Sequence, residues 1–320
     1  MFGLLAVLGI SIMYNIGLTA SYHSYMNADP DITEHFHSGS RRATDKIAVI
    51  RVSGTIMSGE GFVKRQIDKV AEDKDVKGVV LRIESPGGTV TGSHYIYHHL
   101  KKLAEEKDIP LVVSMGSMAA SGGYYIAMAV GDESDSIYAE TTTLTGSIGV
   151  IVPNYDLSGM LENWKIEDRS FTSGPFKQLG SPTRKMTEEG KAVMQRLVDE
   201  MFADFKAIVL SGRPKLADDE ESLAKATTGQ VFTGKQALEL GLVDRLGFIE
   251  DAVGRVKELA SLGDSSVRVV EYRRPQNFLD RAIGGGQAQG IDMQSLLDLA
   301  SPKAYYLYTT LPGLSTTLAN

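Results

Sequence analysis

Short apolar runs alternate with amphipathic segments over residues 46–113, and this alternation constrains the fold more than any other feature of the sequence. The apolar runs are typical of buried strands, whereas the segments between them repeat apolar residues at helical spacing. Strands are predicted at 47–52, 78–83 and 111–113, and helices at 61–71 and 89–103. This order of elements indicates an α/β fold with a parallel sheet covered by helices.

A turn of small residues follows the third predicted strand and is centred on Ser121. Two alanines precede this serine, two glycines follow it, and an apolar helical segment begins at Tyr124. The pattern is a relaxed form of the nucleophile elbow, in which a sharp strand-to-helix turn presents a serine hydroxyl to a substrate carbonyl. The alternative is an ordinary helix start, at which the Ser121 side chain caps a free amide.

A second glycine turn, Ser-Pro-Gly-Gly at 85–88, follows the second predicted strand. Binding sites in open parallel sheets form at the carboxyl ends of the strands, so the two turns are expected to face one crevice. The amides of Gly87 and Gly88, with that of Gly122, can then point at one oxygen atom, as in an oxyanion hole. The alternative is a plain turn, in which Pro86 presets φ.

A serine nucleophile needs a base within hydrogen-bond reach. All six histidines precede Ser121, which excludes a triad in the order serine, histidine, aspartate. A triad that draws on His94 or His98 remains possible but has no supporting motif. These two histidines share one face of a predicted helix, where a solvated surface is the simpler interpretation.

A lysine can also act as the base when burial favours its neutral amine. Lys177 lies beside Phe176 in a segment bounded by glycine and proline, which makes it the more interesting candidate. Lys185 begins a charged helix start and is expected to be solvated. A Ser-x-x-Lys match at 222–225 lies in an acidic helix without companion motifs, so we interpret it as a chance match.

Composition excludes several classes of function. The 320 residues include no cysteine, so the chain has no disulfide, no thiolate nucleophile and no cysteine metal ligand. A formal net charge of −7 argues against nucleic acid as a partner. The histidines do not form a metal-binding motif with a carboxylate, and neither a metal nor another cofactor is expected.

Residues 2–19 are nearly all apolar and are long enough for one membrane-spanning helix. We expect a retained anchor at 1–20, with a cleaved signal peptide as the alternative, followed by a polar linker at 21–44. Arg41 and Arg42 follow the apolar stretch and no basic residue precedes it, which by the positive-inside rule favours a cytoplasmic main domain. An upstream basic stretch absent from this sequence would remove that conflict.

Four motifs in order resemble those of the signal peptide peptidase A family, which are membrane-bound bacterial serine peptidases with a Ser/Lys dyad. They are Ser-Pro-Gly-Gly at 85–88, Ala-Ala-Ser-Gly-Gly-Tyr-Tyr at 119–125, Thr-Gly-Ser-Ile-Gly at 145–149 and Phe-Lys-Gln-Leu-Gly-Ser-Pro at 176–182. The resemblance extends over residues 46–257, and the segment 131–136 looks like a surface insertion relative to the family.

The resemblance implies a role for each matched residue. Ser121 corresponds to the nucleophile, Lys177 to the general base, and Ser147 to the serine that hydrogen-bonds and orients that lysine. Gly88 and Gly122 correspond to the donors of the oxyanion hole. A Clp/crotonase-like fold is implied for a peptidase domain at 45–260, and a strand and helix extension at 261–320 is expected to pack on it.

The function implied is a membrane-anchored endopeptidase that cleaves unfolded apolar peptides, such as remnant signal peptides, through an acyl-enzyme. Extended peptides are expected to add to strands around Val90 and 147–150, and the amphipathic helix at 187–212 is expected to join copies into a ring. The expected location is the bacterial cytoplasmic membrane, with the catalytic domain on its extracytoplasmic side. An acyl-CoA enzyme of the crotonase type and a catalytically silent membrane scaffold are the alternatives.

Overall fold

The computed structural model describes residues 32–263, 266–274 and 305–307. The chain divides into two compact units. The small unit comprises 1–34 and 273–287, and in its described part the Thr33 hydroxyl donates a hydrogen bond of 3.2 Å to the Arg273 carbonyl oxygen. The large unit comprises 35–272 and 288–320 and contains the candidate site.

A mostly parallel sheet with helices packed on it forms the architecture. The strands are β1 (Thr33–Gly39), β2 (Lys46–Ser53), β3 (Val76–Ser85), β4 (Gly87–Thr89), β5 (Leu111–Ala120), β6 (Ile137–Ala139), β7 (Leu144–Gly146), β8 (Val231–Thr233), β9 (Arg245–Leu246), β10 (Arg268–Arg273) and β11 (Tyr305–Leu307). The helices are α1 (Phe62–Glu72), α2 (Val90–Lys107), α3 (Gly122–Ala127), α4 (Ser158–Asn163), α5 (Glu188–Gly212), α6 (Glu220–Ala226), α7 (Gly234–Glu239) and α8 (Ile249–Leu259). Short 3₁₀ turns follow α3 and α5, at Met128–Val130 and Pro214–Ala217.

Among the described residues, nine strands join in the order β1-β10-β2-β3-β5-β6-β9, with β7 paired to β5 and β8 paired to β7. The pairings of β2, β3 and β5 are parallel, and the β7–β8 pair is antiparallel. The two remaining strands, β4 and β11, form a separate antiparallel pair. The sheet confirms the predicted mixed α/β class, and its mostly parallel order fits a Clp/crotonase-like fold.

The central strands are apolar on both faces because both faces are covered. Successive residues Ile47, Ala48, Val49 and Ile50 of β2 are all fully buried, although neighbours along a strand point to opposite faces. On one of these faces, Ile47 and Val49 belong to a core cluster with residues of β3, β5 and α8. This continuous burial explains why the sequence shows short apolar runs rather than strict alternation.

The predicted elements between 46 and 113 are confirmed, with one difference at the third strand. That strand was expected to end at Val113 and to be followed by a turn, but β5 continues to Ala120. Its second half is held on both edges, because Ala119 pairs with Ser85 of β3 and Ala120 pairs with Gly146 of β7. The small residues of this stretch therefore belong to a strand in the middle of the sheet.

A second difference concerns the strand expected around Val90. Val90 is the first residue of α2, since the Thr89 hydroxyl accepts a hydrogen bond of 3.1 Å from the Gly92 amide and caps the helix. The extended segment is β4, which ends at Thr89. A peptide that adds to this part of the molecule would therefore pair with the glycines rather than with Val90.

Several predictions fall at the two ends of the sequence. The expected anchor at 1–20 and most of the expected extension at 261–320 lie outside the described residues. Within the described ranges no helix is long and apolar enough to span a membrane. The segment 21–44 contains β1 in its described part. The expected helix at 187–212 is confirmed as α5, with Thr187 as its N-cap.

Gln66 of α1 provides a test of how this helix is attached to the sheet. Its buried side chain accepts a hydrogen bond from the Arg51 amide and donates one to the Arg51 carbonyl, both of 2.9 Å. Gln66→Leu should lower the free energy of unfolding by about 2 kcal/mol, because two backbone groups lose their partner. Thermal unfolding is the measurement, and Gln195→Leu at an exposed position of α5 is the matched control. Equal thermal unfolding midpoints for Gln66→Leu and Gln195→Leu would contradict a stabilising role for the two hydrogen bonds of Gln66.

Candidate active site

Ser121 occupies a sharp turn between β5 and α3. Its backbone angles are φ 54° and ψ −114°, a conformation that is costly for a residue with a side chain. The turn is held because the Ser121 amide donates a hydrogen bond of 2.7 Å to the Gly146 carbonyl and the Tyr125 amide donates one of 2.8 Å to the Ser121 carbonyl. The residue is 1% exposed, and its hydroxyl makes no capping bond to the described helix. Ser121 is therefore the N-cap residue of α3 by position, but its side chain does not cap a free amide, contrary to the alternative interpretation.

Ser147 follows the neighbouring strand at the same level. Since Ala120 of β5 pairs in parallel with Gly146 of β7, Ser121 and Ser147 are the next residues along two adjacent strands. Ser147 also has a positive φ, 52°, is 6% exposed, and its amide donates a hydrogen bond of 2.8 Å to the Gln230 carbonyl. The structure thus brings two of the predicted site residues together at the carboxyl edge of the sheet.

The two glycine turns meet beside Ser121. A Cβ atom placed on Gly87 would lie 2.6 Å from the Gly122 amide nitrogen, and one placed on Gly122 would lie 3.1 Å from the Gly88 amide nitrogen. Only glycine allows this approach, and Gly87 also has a φ of 99°. The expected face-to-face arrangement of the two turns is confirmed.

Neither the bridge to Ile56 nor helix α3 uses the amide of an expected oxyanion donor. The bridge to Ile56 uses the Gly87 carbonyl and the Thr89 amide, so the Gly88 N–H faces the opposite edge of β4. Gly122 is the first residue of α3, and its N–H has no acceptor within that helix. Two N–H groups next to a serine hydroxyl are an arrangement that can stabilise a developing oxyanion.

Hydroxyl groups that the sequence did not single out hold the two turns in place. The fully buried Ser85 hydroxyl donates a hydrogen bond of 2.6 Å to the Gly54 carbonyl and accepts one of 3.1 Å from the Gly87 amide. The Thr145 hydroxyl donates a hydrogen bond of 2.7 Å to the Ala119 carbonyl. Serine and threonine are too common for their identity alone to reveal these contacts, which depend on the folded backbone.

Lys177 lies in the segment 151–186 between β7 and α5, which we call the arm. Its side chain is exposed, and among the described residues its amino group has neither a hydrogen bond nor an ion pair. No hydrogen bond joins Ser147 to Lys177 among the described residues, so the role that the resemblance implies for Ser147 stays a prediction.

Internal contacts give the arm its own structure. The Leu157 amide donates a hydrogen bond of 2.8 Å to the Pro182 carbonyl, and the Thr183 hydroxyl donates one of 2.6 Å to the Asp168 carboxylate. Hydrogen bonds from Ser170 and Thr183 lower the pKa of the Asp168 carboxyl.

Among the described residues, no hydrogen bond links an alternative base to Ser121. The Nδ1 atom of His94 lies 2.9 Å from the Tyr125 hydroxyl, and His98 is exposed on the same helix. Burial raises the pKa of Tyr125, which is held among aromatic rings below the Ser121 turn. Lys185 and Lys225 are both exposed, as expected for solvated lysines.

Comparison with known proteins identifies the family. The model of peptidase family S49 matches residues 103–263, a range that includes Ser121, Ser147 and Lys177. A Synechocystis sp. protein, named as a candidate protease, is 39% identical over 240 residues, which cover 75% of this chain and 83% of the relative. The chain belongs to peptidase family S49.

Other relatives confirm the resemblance to the signal peptide peptidase A family. An Enterococcus faecium protein named as a candidate signal peptide peptidase SppA is 38% identical over 65% of this chain. The chloroplastic serine protease SPPA of Arabidopsis thaliana is 32% identical over 79% of the chain. The aligned regions span 58% and 39% of these two relatives.

A solved structure of a membrane-bound stomatin-specific protease matches 67% of the chain and 86% of its own length, with 16% identity and a TM-score of 0.39. Membership of family S49 favours a serine peptidase over an acyl-CoA enzyme.

The strained turn of this S49 peptidase predicts an unusual order of stability. Ser121→Gly should be more stable than Ser121→Ala by about 1 kcal/mol, because glycine tolerates a positive φ that strains alanine. At position 203, which is exposed on α5, alanine should be more stable than glycine. Ala203→Gly should therefore lower the free energy of unfolding by about 1 kcal/mol. Thermal unfolding of the three variants measures both differences. If Ser121→Ala equalled or exceeded Ser121→Gly in stability, the turn would not be strained.

Proposed function

We propose that this S49 peptidase is a serine endopeptidase with a Ser121/Lys177 dyad. The observation that carries the proposal is the Ser121 turn, in which a serine makes no cap and lies beside the amides of Gly88 and Gly122. Strain is maintained at functional sites when the surrounding structure enforces it, as the bond from Ser121 to Gly146 does here.

In the proposed reaction the Ser121 oxygen attacks the peptide carbonyl and transfers its proton to the Lys177 amine. The carbonyl oxygen becomes an oxyanion that accepts hydrogen bonds from Gly88 and Gly122. Collapse of this intermediate breaks the C–N bond, and the protonated lysine delivers its proton to the leaving amine. Water then attacks the acyl-enzyme with the same lysine as base, and release of the acid product restores the Ser121 hydroxyl.

Lysine acts as a base only as a neutral amine, which exclusion of water favours. Lys177 is exposed in the single chain, whereas Ser121 and Ser147 are buried at the sheet edge. We therefore include in the proposal that the arm of a second copy brings its Lys177 to these two serines. In this proposal Ser147, which follows the strand next to that of Ser121, hydrogen-bonds the incoming amine without giving it a negative partner that would keep it protonated.

The surface of the arm supports assembly with a second copy. Eight of the thirteen exposed large apolar side chains among the described residues fall between 151 and 176. Trp164 is 67% exposed, and Phe171 is completely exposed. Apolar surface on this scale is characteristic of interaction sites, and repeated contacts of one arm with the next copy would generate a ring.

The proposed substrates are unfolded apolar peptides, including remnants of signal peptides. Only an extended backbone can add to a strand such as β4, and the Enterococcus faecium relative is named as a candidate signal peptide peptidase. The apolar stretch at 2–19 would anchor the enzyme in the cytoplasmic membrane, with its catalytic domain on the extracytoplasmic side where such remnants are released.

Substitution of either dyad residue tests the proposed chemistry. Ser121→Ala and Lys177→Ala should each reduce cleavage of an unfolded apolar peptide by at least about a thousandfold, because the nucleophile or its base is removed. Lys185→Ala, at another exposed lysine in the same arm, is the matched control and should retain activity. Full activity in Ser121→Ala or in Lys177→Ala would refute the dyad, and inactivity of the unaltered chain would favour a silent scaffold.

Mixing the two inactive variants tests whether the lysine comes from another copy. In mixed assemblies a site with an intact Ser121 can face an intact Lys177, so equal amounts should recover about a quarter of the parent activity. The mixture must be assembled from dissociated protein, and unmixed variants treated in the same way are the control. No recovery, in assemblies shown to contain both variants, would place both residues in one chain.

Charged substitutions in the arm should disrupt assembly and activity together. Trp164→Glu combined with Phe171→Glu places charges on a surface that is proposed to be buried between copies, so the assembly should dissociate. Light scattering on a sizing column measures the mass, and peptide cleavage measures the activity. Phe248→Glu, at an exposed aromatic outside the arm, is the control. A double variant with normal mass would show that the arm is not the interface.

A further inference from the structure

Strand β5 contains a bulge upstream of the candidate nucleophile. Met115 pairs with Ile83 of β3. The next pair joins Ala119 to Ser85, so one residue of β3 lies beside three residues of β5. A register that continued without the bulge would place Ser117 opposite Ser85. The bulge therefore decides which part of β5 lies level with the glycine turn that follows β3.

The same bulge marks the point at which β5 changes partners on its other edge. Residues 113–115 pair with β6, whereas residues 118–120 pair with β7. Between these two strands, the Thr143 hydroxyl donates a hydrogen bond of 2.6 Å to the Gly116 carbonyl. The backbone ladder is thus interrupted on both edges of β5 at the bulge, and side chains supply contacts there.

The Glu84 carboxylate closes the bulge from the side of β3. One of its oxygens accepts hydrogen bonds from the Ser117 amide, of 2.9 Å, and from the Ser117 hydroxyl, of 2.6 Å. The other oxygen accepts a hydrogen bond of 2.9 Å from the Arg82 guanidinium. The carboxylate therefore takes the place of a backbone acceptor for the amide in the middle of the bulge.

Arg82 fixes the orientation of the Glu84 side chain. Its guanidinium also donates hydrogen bonds of 2.9 Å to the Glu140 carboxylate, directly after β6, and to the Ser114 hydroxyl of β5. The side chain of Arg82 is 13% exposed and that of Glu84 is 30% exposed. Solvent screens partly buried ion pairs less than exposed ones, so this contact holds the carboxylate over the bulge.

Gly116 makes room for the carboxylate. A Cβ atom on this residue would overlap the Glu84 carboxylate and would lie 2.5 Å from Nη2 of Arg82. Gly116 is not among the described glycines with a positive φ, so its backbone angles would accept alanine. The space that Glu84 occupies is therefore what requires glycine at this position.

We propose that Glu84 is a positioning residue that sets the register of β5 and thereby places the nucleophile level with its oxyanion donors. The inference rests on the proposed peptidase function. Because β5 ends one residue before Ser121, an error in its register would move the hydroxyl away from Gly88 and Gly122. Glu84 acts through the strand, since its carboxylate bonds Ser117.

The division between kcat and KM in the full chain tests this role. Glu84→Ala should lower kcat for an unfolded apolar peptide by about a hundredfold, because a displacement of about 1 Å has that effect on the chemical step. KM should change by less than about threefold, because β4, to which the peptide is proposed to add, is not altered. Glu105→Ala, at an exposed glutamate of α2, is the matched control and should leave both constants unchanged.

A double-mutant cycle tests the contact between Glu84 and Gly116. Gly116→Ala should lower kcat about as much as Glu84→Ala does, because the added methyl group displaces the carboxylate. In the Glu84→Ala background the nearest remaining atom is the flexible end of Arg82, so adding Gly116→Ala should change kcat by less than about threefold. Two effects that simply multiply would show that the residues act independently, and would overturn the inference.

Hydrogen exchange reports the position of the nucleophile without relying on cleavage. The Ser121 amide is protected by its bond to the Gly146 carbonyl, and a shifted β5 would lose that bond. Glu84→Ala should therefore speed exchange in 117–123 by at least about tenfold and leave exchange in 47–52 unchanged. Mass spectrometry of the two segments is the measurement. Equal acceleration in both segments would mean that Glu84 stabilises the whole domain, and would overturn the inference.

A more conservative variant allows for misfolding of Glu84→Ala. Glu84→Gln keeps one carbonyl oxygen for Ser117 but loses the ion pair with Arg82. Its effects on kcat and on exchange should therefore be smaller than those of Glu84→Ala. If Glu84→Ala did not fold, selective acceleration of exchange at 117–123 in Glu84→Gln would decide for the inference, and unchanged exchange there would decide against it.

The outcomes separate the two proposals. An unchanged kcat in Glu84→Ala, in a chain that cleaves peptides, would overturn the inference and leave the proposed peptidase standing. Unchanged exchange at 117–123 in Glu84→Ala would overturn the inference whatever the activity. Selective acceleration at 117–123, in an unaltered chain that cleaves nothing, would support the positioning role of Glu84 and refute the peptidase.

Discussion

The parallel pairing of β5 with β3 on one edge and β7 on the other is the constraint on which the site depends. Ala119 pairs with Ser85 and Ala120 with Gly146, so the chain leaves the sheet only after Ala120. The Ser121 amide is then held by the Gly146 carbonyl while the backbone turns into α3. The strain at Ser121 is tolerated because these neighbouring strands, which are buried, prevent the turn from relaxing.

The carboxyl edge of the sheet supplies the two serines and the expected oxyanion donors, whereas the proposed base belongs to a different part of the molecule. Ser121, Ser147, Gly88 and Gly122 come from strand ends and one helix start, whereas Lys177 belongs to the exposed arm. Under the proposed mechanism the base arrives only with assembly. Such a division would keep an isolated chain inactive, and the apolar surface of the arm is the means by which copies would join.

The order of strands, helices and motifs could largely be predicted because it depends on local patterns. Runs such as 47–52 are apolar because both faces of the strand are buried, and small residues around Ser121 are needed where two turns approach closely. The length of β5 was underestimated, since Ser114, Gly116 and Ser117 carry no strand pattern. Their conformation is imposed by pairing with β3 and by the return of the chain at β7.

The sequence by itself determined the fold class, the family and the identity of the candidate nucleophile, because these are expressed in short motifs and in periodicity. Only the tertiary structure decided that Ser121 caps no helix, that Ser85 and Thr145 hold the turns, and that Lys177 is exposed. It also placed Tyr306 against Tyr125, although 181 positions separate them in the sequence. Contacts between distant segments depend on how the strands and helices come together, and no local sequence pattern predicts that arrangement.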